Sequence, residues 1–332
     1  MRTRALTILL PVLFLFALAA AGDEAMLQIC LAAHADYTPV YPTLSIPSSA
    51  KGVMAVFRFG NGETHKAITG TWVAVDVGAA ATPNYTLSSK TIQGPLSKGR
   101  LYFTLPRPLP VGKYRLDVAA DKKAWKSVEF SVVSDPPESS LAGPQALLPL
   151  KQGQTWTYDF VQEAGSGAHI EIPGIKPDAE GRYHANVVMT AAAPDAAGQH
   201  VELRRNGQLV FEEWWRLDEK GLSATKRKGG DEVMVVDPPQ VLLPWPLTPS
   251  RKWEYKPRDG SYHQTYTIWG PVPVPTSAGV KSGYVVFVEQ PQGALTLSVE
   301  RQFVPGVGMT REIIVTGVNQ DMVSRQEMVL RK

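Results

Sequence analysis

Apolar and polar positions alternate with a period of two along most of the chain, in short stretches separated by turn residues. From Lys113 to Val118, the apolar Tyr114, Leu116 and Val118 take one parity and Lys113, Arg115 and Asp117 the other. Val128, Phe130 and Val132 repeat the pattern after a polar Asp121-Lys122-Lys123 segment. Such alternation marks strands with one buried face, and a short polar connection between two of them marks a hairpin. Residues 53–59, 68–77, 100–105, 113–119 and 127–133 are all rich in β-branched and aromatic side chains, with Asn61-Gly62 and Ser97-Lys98-Gly99 as turns. An earlier strand is expected over 26–33. None of these stretches has a helical period, so the first part of the chain predicts a small β-sandwich.

The second part continues strand after strand. Segments 156–160, 168–172, 183–190, 201–205, 208–215, 221–226 and 233–236 read as strands, with Asn206-Gly207 the two-residue loop of a tight hairpin. Asp237-Pro238-Pro239 reads as a break. Pro149, Leu150, Trp156 and Tyr158 then recur as Pro246, Leu247, Trp253 and Tyr255, at one offset of 97 residues. Further strands follow over 253–255, 262–269, 283–289, 294–303, 308–316 and 322–330, with a proline-rich break at Pro271, Pro273 and Pro275. The expectation is a curled antiparallel sheet or half-barrel made of two related halves. The fold class is therefore all-β throughout.

The chain ends and its composition add export and a domain plan. Met1-Arg2-Thr3-Arg4 leads into an apolar run that closes on Ala17-Leu18-Ala19-Ala20-Ala21 and is interrupted by Pro11, the pattern of a cleaved signal peptide over 1–22. An uncleaved N-terminal anchor is the competing reading. Residues 23–133 form the lead segment and sandwich, 134–144 a Pro/Ser-rich linker that holds the modules apart, and 145–332 the curled domain. The 332 residues, 44% hydrophobic and 20% charged, suit folded domains with cores of their own. Cys30 is the only cysteine, so no internal disulfide can form, and Ile29 before it argues against lipidation. Without Arg2 and Arg4 the formal charge falls from +3 to near neutrality, and Lys226-Arg227-Lys228 reads as a solvated hairpin tip. Nucleic-acid binding is not expected.

Two resemblances follow from these residues. The run Leu109-Pro110-Val111-Gly112-Lys113-Tyr114-Arg115-Leu116-Asp117-Val118, a turn and Val128-Glu129-Phe130-Ser131-Val132 resembles the last strands of immunoglobulin-like domains in bacterial exported proteins. Trp72 would then be a buried core tryptophan. The second region is similar to a group of uncharacterised exported bacterial proteins that open with Pro-Leu-x-x-Gly-x-x-Trp-x-Tyr, here 149–158, and end with an aromatic residue and Pro-Gly-Val-Gly, here 303–308. Ser250 stands in the second copy where Gly153 stands in the first. The resemblance implies no catalytic residue.

Catalytic chemistry is sparse. His34, His65, His169, His184, His200 and His263 show no metal-ligand spacing, and His169, Glu171 and His184 are the one trio that adjacent strands could bring together. Gly165-Ser166-Gly167 is a turn and not a nucleophile elbow. Glu212 and Glu213 precede Trp214 and Trp215, but strand neighbours point to opposite faces and cannot act as a pair. The aromatic candidates for ligand contact are Trp214, Trp215, Trp245 and Phe303, with Val286 and Phe287 as further walls of the concave face. The leading expectation is an exported, non-catalytic binding or cell-envelope structural protein, without cofactor, metal site or transmembrane segment after signal cleavage. Its partner would be an envelope protein, a glycan or a lipid. The alternative is a periplasmic carrier of an apolar, lipid-like ligand in the curled sheet; a hydrolase of envelope or extracellular polymer is the third. A dry, side-chain-filled interior would exclude the carrier, and an open apolar groove of several hundred cubic ångströms would support it.

Overall fold

The structure, a computed structural model, describes residues 24–50, 52–104, 106–135 and 143–331. The signal peptide and residues 136–142 of the linker lie outside the described residues. The first module consists of β1 (Met26–Ala33), β2 (Pro39–Pro42), β3 (Ser45–Pro47), β4 (Gly52–Arg58), β5 (His65–Asp76), β6 (Tyr85–Leu96), β7 (Lys98–Thr104), β8 (Gly112–Ala120) and β9 (Lys123–Val133). After a one-turn helix α1 (Pro144–Leu147), the second contains β10 (Thr155–Ala164), β11 (Tyr183–Ala191), β12 (Gln199–Arg205), β13 (Gln208–Asp218), β14 (Gly221–Gly229) and β15 (Glu232–Pro244). It continues with β16 (Lys252–Tyr255), β17 (Gln264–Thr276), β18 (Gly279–Gln292), β19 (Leu295–Val304), β20 (Gly308–Val318) and β21 (Asp321–Leu330).

In the first module a four-stranded sheet, β2-β1-β4-β7, faces a five-stranded one, β3-β9-β8-β5-β6. Their inner faces share one core in which Ile29, Phe57 and Phe103 meet Ile68, Trp72, Leu116 and Phe130. The alternation of Tyr114, Leu116 and Val118 is the physical origin of that arrangement, since all three point inward and are buried. Trp72 is buried, stacked on Phe103 at 6.1 Å and edge-on to Phe130 at 6.0 Å. β6 is an additional strand that the hydrophobic pattern does not mark. It is a sheet edge with mostly polar, exposed residues, so no buried face is written into its sequence.

The second module is one antiparallel sheet of twelve strands, ordered β15-β14-β13-β12-β11-β10-β21-β20-β19-β18-β17-β16. It curls into a nearly closed barrel. Strands β10 to β15 and β16 to β21 form two six-stranded halves, joined where β10 pairs with β21, Tyr158 opposite Leu330. Each half opens on its Trp-x-Tyr strand; Trp156, Tyr158 and Tyr255 are buried in the barrel core, and the half-buried Trp253 packs against it. The opening motif in the first half and the Pro-Gly-Val-Gly stretch in the second meet in space. Trp156 donates its indole N–H to the Val307 carbonyl at 2.7 Å, and the Gly306 amide donates to the Ala146 carbonyl at 2.7 Å. Gly308 has φ +100°, and a Cβ there would come 3.0 Å from Trp156 Nε1, so this glycine is required by both conformation and space. Ser250 takes φ +58° where its counterpart Gly153 has +83°, so the turn keeps its left-handed shape without the glycine.

Several expectations are corrected. Residues 168–172 form no strand; the 18 residues between β10 and β11 run as irregular backbone. The prolines do not end strands. β15 runs through Pro238 and Pro239, and β17 through Pro271, Pro273 and Pro275. Residues two apart in a strand send their N–H groups to the same side, so the last three prolines lack donors on a single side of β17. Beyond Thr267, the last position paired with β16, that side has no neighbouring strand, and pairing with β18 continues on the other at Val272 and Val274.

The modules are not held apart. β1 and β2 lie against the outer face of β17 and β18, where Ala32 and Val40 pack with Trp269, Val285 and Phe287. Tyr41 donates to the Pro273 carbonyl at 2.6 Å, Lys98 pairs with Asp321 at 3.2 Å, and the Ser49 and Ser250 hydroxyls are 3.3 Å apart. His34 fills the centre of the joint, its Nδ1 3.0 Å from the Ser298 hydroxyl and its Nε2 3.5 Å from a Glu300 oxygen, within ion-pair reach. Coverage on both faces explains why Tyr284 to Val288 is continuously buried rather than alternating.

Candidate functional site

The barrel interior is not filled. A cavity of about 310 Å³ is lined by apolar side chains, among them Leu148, Met189, Leu222, Leu242, Phe303 and Met309. A second space of about 410 Å³, between Phe160, Val187, Val210 and Gln326, shares Leu203, Phe211, Arg301, Glu312, Ile314 and Met328 with the first. The two are therefore neighbouring parts of one interior. Volumes of this order are those of small-molecule sites.

One wall is polar. Glu213 accepts from Arg227 Nε at 2.6 Å and from Trp215 Nε1 at 2.5 Å. Arg301 donates through Nε to Glu312 at 2.5 Å. Arg227 also donates to Gln240, which contacts Gln264 and the Tyr266 hydroxyl, and Gln264 donates to Gln290 at 2.7 Å. Burial opposes the charge on both guanidiniums, but Glu213 beside Arg227 and Glu312 beside Arg301 outweigh it and strengthen their hold on the proton. Burial likewise pushes the Tyr266 phenol up, against the pull of both arginines.

Local strand geometry sets this wall. In β19 the inward parity is Leu297, Val299, Arg301 and Phe303, and in β13 it is Phe211, Glu213 and Trp215. The charges therefore stand in register with apolar residues. The run Lys226-Arg227-Lys228 is not a solvated tip: only its outer members face out, Lys226 Nζ lying 3.9 Å from the Trp214 ring centroid and Lys228 donating to Glu212 at 2.9 Å. A charged residue on the apolar parity of a strand is the signal by which Arg301 could have been found. Arg227 is hidden by its like-charged neighbours.

Of the four aromatic candidates, Trp215 and Phe303 line the cavity together. Trp214 is on the opposite face, stacked on His200 at 4.4 Å and hydrogen-bonded to Asp195 at 2.8 Å. Trp245 is half-buried against the barrel core and is not among the cavity walls. Val286 is in the barrel core, whereas Phe287 faces outward and meets His34 edge-on at 5.6 Å. His169 and Glu171 touch at 3.2 Å on an exposed loop, while His184 pairs with Asp178 at 2.7 Å, so the trio does not assemble. Among the described residues no cluster of three or more His, Cys, Asp or Glu side chains could hold a metal ion, and no helix is long and apolar enough to cross a membrane.

Fold and cavity together define a nearly closed antiparallel barrel that encloses ligand-sized space, with a β-sandwich docked on its outer wall. No family model matches the chain, and no curated protein matches it. Among solved structures the chain is similar to a provisionally described exported protein with a YmcC-like fold from Bacteroides fragilis, at 12% identity over 55% of this chain and 97% of the other, with a TM-score of 0.27. It is also similar to a provisionally described lipoprotein from Parabacteroides distasonis, at 13% identity over 55% and 96%, with a TM-score of 0.25. Likeness at this level leaves ligand chemistry to the residues of this chain.

Proposed function

We propose that this chain is an exported, non-catalytic carrier whose barrel holds an apolar, lipid-like ligand in its interior. The observation that carries this reading is the 310 Å³ cavity itself, apolar over most of its wall. A barrel built only for stability would close on its side chains at the density of an organic crystal. The two internal ion pairs add support, since desolvated pairs are replaced by apolar packing with little loss, or a gain, of stability. Export is supported by the signal-peptide pattern at the N-terminus. The first module is proposed as immunoglobulin-like, supported by its two packed sheets and by the Tyr114 hydroxyl, which donates to the Pro110 carbonyl four residues upstream at 2.6 Å. The two six-stranded halves are proposed as a repeat, and the barrel as a member of the exported group defined by the Pro-Leu-x-x-Gly-x-x-Trp-x-Tyr opening.

The test is binding of the uncharged fluorophore N-phenyl-naphthylamine to the mature protein. Saturable enhancement is expected for the wild type and its loss for Leu203→Trp, which fills the part common to both spaces, with the far-ultraviolet circular dichroism unchanged. No saturable binding, or equal binding by the filled variant, would overturn the carrier. Native mass spectrometry of protein purified from its own envelope fraction should show a bound mass of lipid size.

A further inference from the structure

We propose that the cavity selects a single-chain amphiphile with an uncharged head that both donates and accepts hydrogen bonds, such as a hydroxylated ester or an amide, over the free carboxylate of the same chain. This rests on the reading of the cavity as a carrier site. The head would meet Arg301 with Glu312 and Arg227 with Glu213, and the chain would lie against Met189, Leu222 or Leu242 and Phe303.

The argument is one of charge balance. Each arginine in the wall already has a carboxylate, so the charges of these four side chains cancel. The pairs also feel one another: Glu213 acts on Arg301 as well as on Arg227, and both arginines act on Tyr266 between them. Arg301 retains 27% of its side-chain exposure and Arg227 18%, while both line the interior cavity, so the surface left on them faces the ligand space. A hydroxyl or amide arriving there can accept from a guanidinium N–H and donate to the Glu312 carboxylate, of which only one oxygen is taken by Arg301, without changing the charge. A carboxylate would bring an uncompensated negative charge into a space where water screens poorly, and it would compete with Glu312 for the same donors. An aliphatic ammonium would be disfavoured for the opposite reason.

The experiment is displacement of N-phenyl-naphthylamine from the mature protein at about pH 8, where a fatty acid is ionised. Monolaurin, laurate and dodecylammonium, each below its critical micelle concentration, are compared with Glu312→Gln and Arg301→Gln variants. Monolaurin should displace the probe from the wild type at a concentration lower by about tenfold or more than either charged amphiphile. Glu312→Gln, which leaves Arg301 uncompensated, should shift preference toward laurate; Arg301→Gln should shift it toward dodecylammonium. Equal displacement by all three, or tighter binding of laurate to the wild type, would overturn the head-group inference and leave the carrier standing. Absence of probe binding would remove both. Because the wild-type comparison needs no variant, failure of either substitution to fold does not blunt the test.

Discussion

Tyr158 has no exposed surface, and its hydroxyl donates at 3.0 Å to the carbonyl of Met309 on β20, two strands along the sheet. Burial pushes the phenol well above its ordinary range, so it remains a donor at any pH the protein meets. Tyr158→Phe keeps the packing and loses the bond, and should lower unfolding stability by about 1 kcal/mol in a urea titration. Trp156→Ala removes a buried ring as well as the bond to Val307 and should cost about 3–5 kcal/mol. Comparison of the two separates anchoring from filling at the motif. Arg227 and Arg301 show the limit of residue-level reading. Each sits among charged or polar neighbours in the chain, and only strand parity sends it inward.

At the scale of the element, β15 and β16 matter most, because they are the two edges of the twelve-stranded sheet. Side chains, not a continuous backbone ladder, bring them together: Trp253 donates to the Val241 carbonyl at 2.9 Å, Arg258 pairs with Asp237 at 3.1 Å, and Gln240 reaches Gln264 and Tyr266. β16 has four residues against thirteen in β15, so most of β15 has no strand on its outer side. Val233, Met234 and Val235 lie on that stretch at 53%, 46% and 71% exposure, an exposed apolar edge of the kind that recruits other chains. Val235→Lys should therefore reduce self-association in concentrated solution, measured by light scattering, while changing stability by no more than about 0.5 kcal/mol. A variant that aggregates like the wild type would clear this edge of the role. The strands were legible where one face is buried, as in β8 and β9. They were missed in β6, which has no buried face to write, and misjudged at Pro238 and Pro271, where prolines lie in a sheet edge.

At the scale of the molecule, the joint between modules is built on a buried carboxylate. Glu300 is 1% exposed; burial opposes its ionisation, but its interaction with His34, with help from Gln302 and Arg311, outweighs it and holds the carboxyl below its usual range. A carboxyl whose folded-state value is depressed contributes stability above its unfolded value, about 4.3, and loses it as the pH falls through the lower folded one. Unfolding free energy should therefore fall below about pH 4.5 more steeply in the wild type than in Glu300→Gln, as followed by chemical denaturation at a series of pH values. Equal acid sensitivity would remove Glu300 from the joint's energetics. This contact was not legible because Glu300 and His34 are 266 positions apart, and a proline-rich linker says nothing about what its modules touch.

The chain by itself determined its class, most of its strands and its anchors, because alternation and turn chemistry are local and a Trp-x-Tyr strand carries its own buried face. Trp215 and Phe303 stood among four aromatic candidates, and nothing local separated them from Trp214 and Trp245. What only the tertiary structure decided is what those faces enclose. Curling twelve strands brings the inward parities of β13 and β14 and those of β19 and β20 to one cavity, and that closure makes Glu213, Arg227, Arg301 and Glu312 one polar cluster in its lining. No local pattern encodes such a meeting, since each of these residues sits in register with its own strand alone.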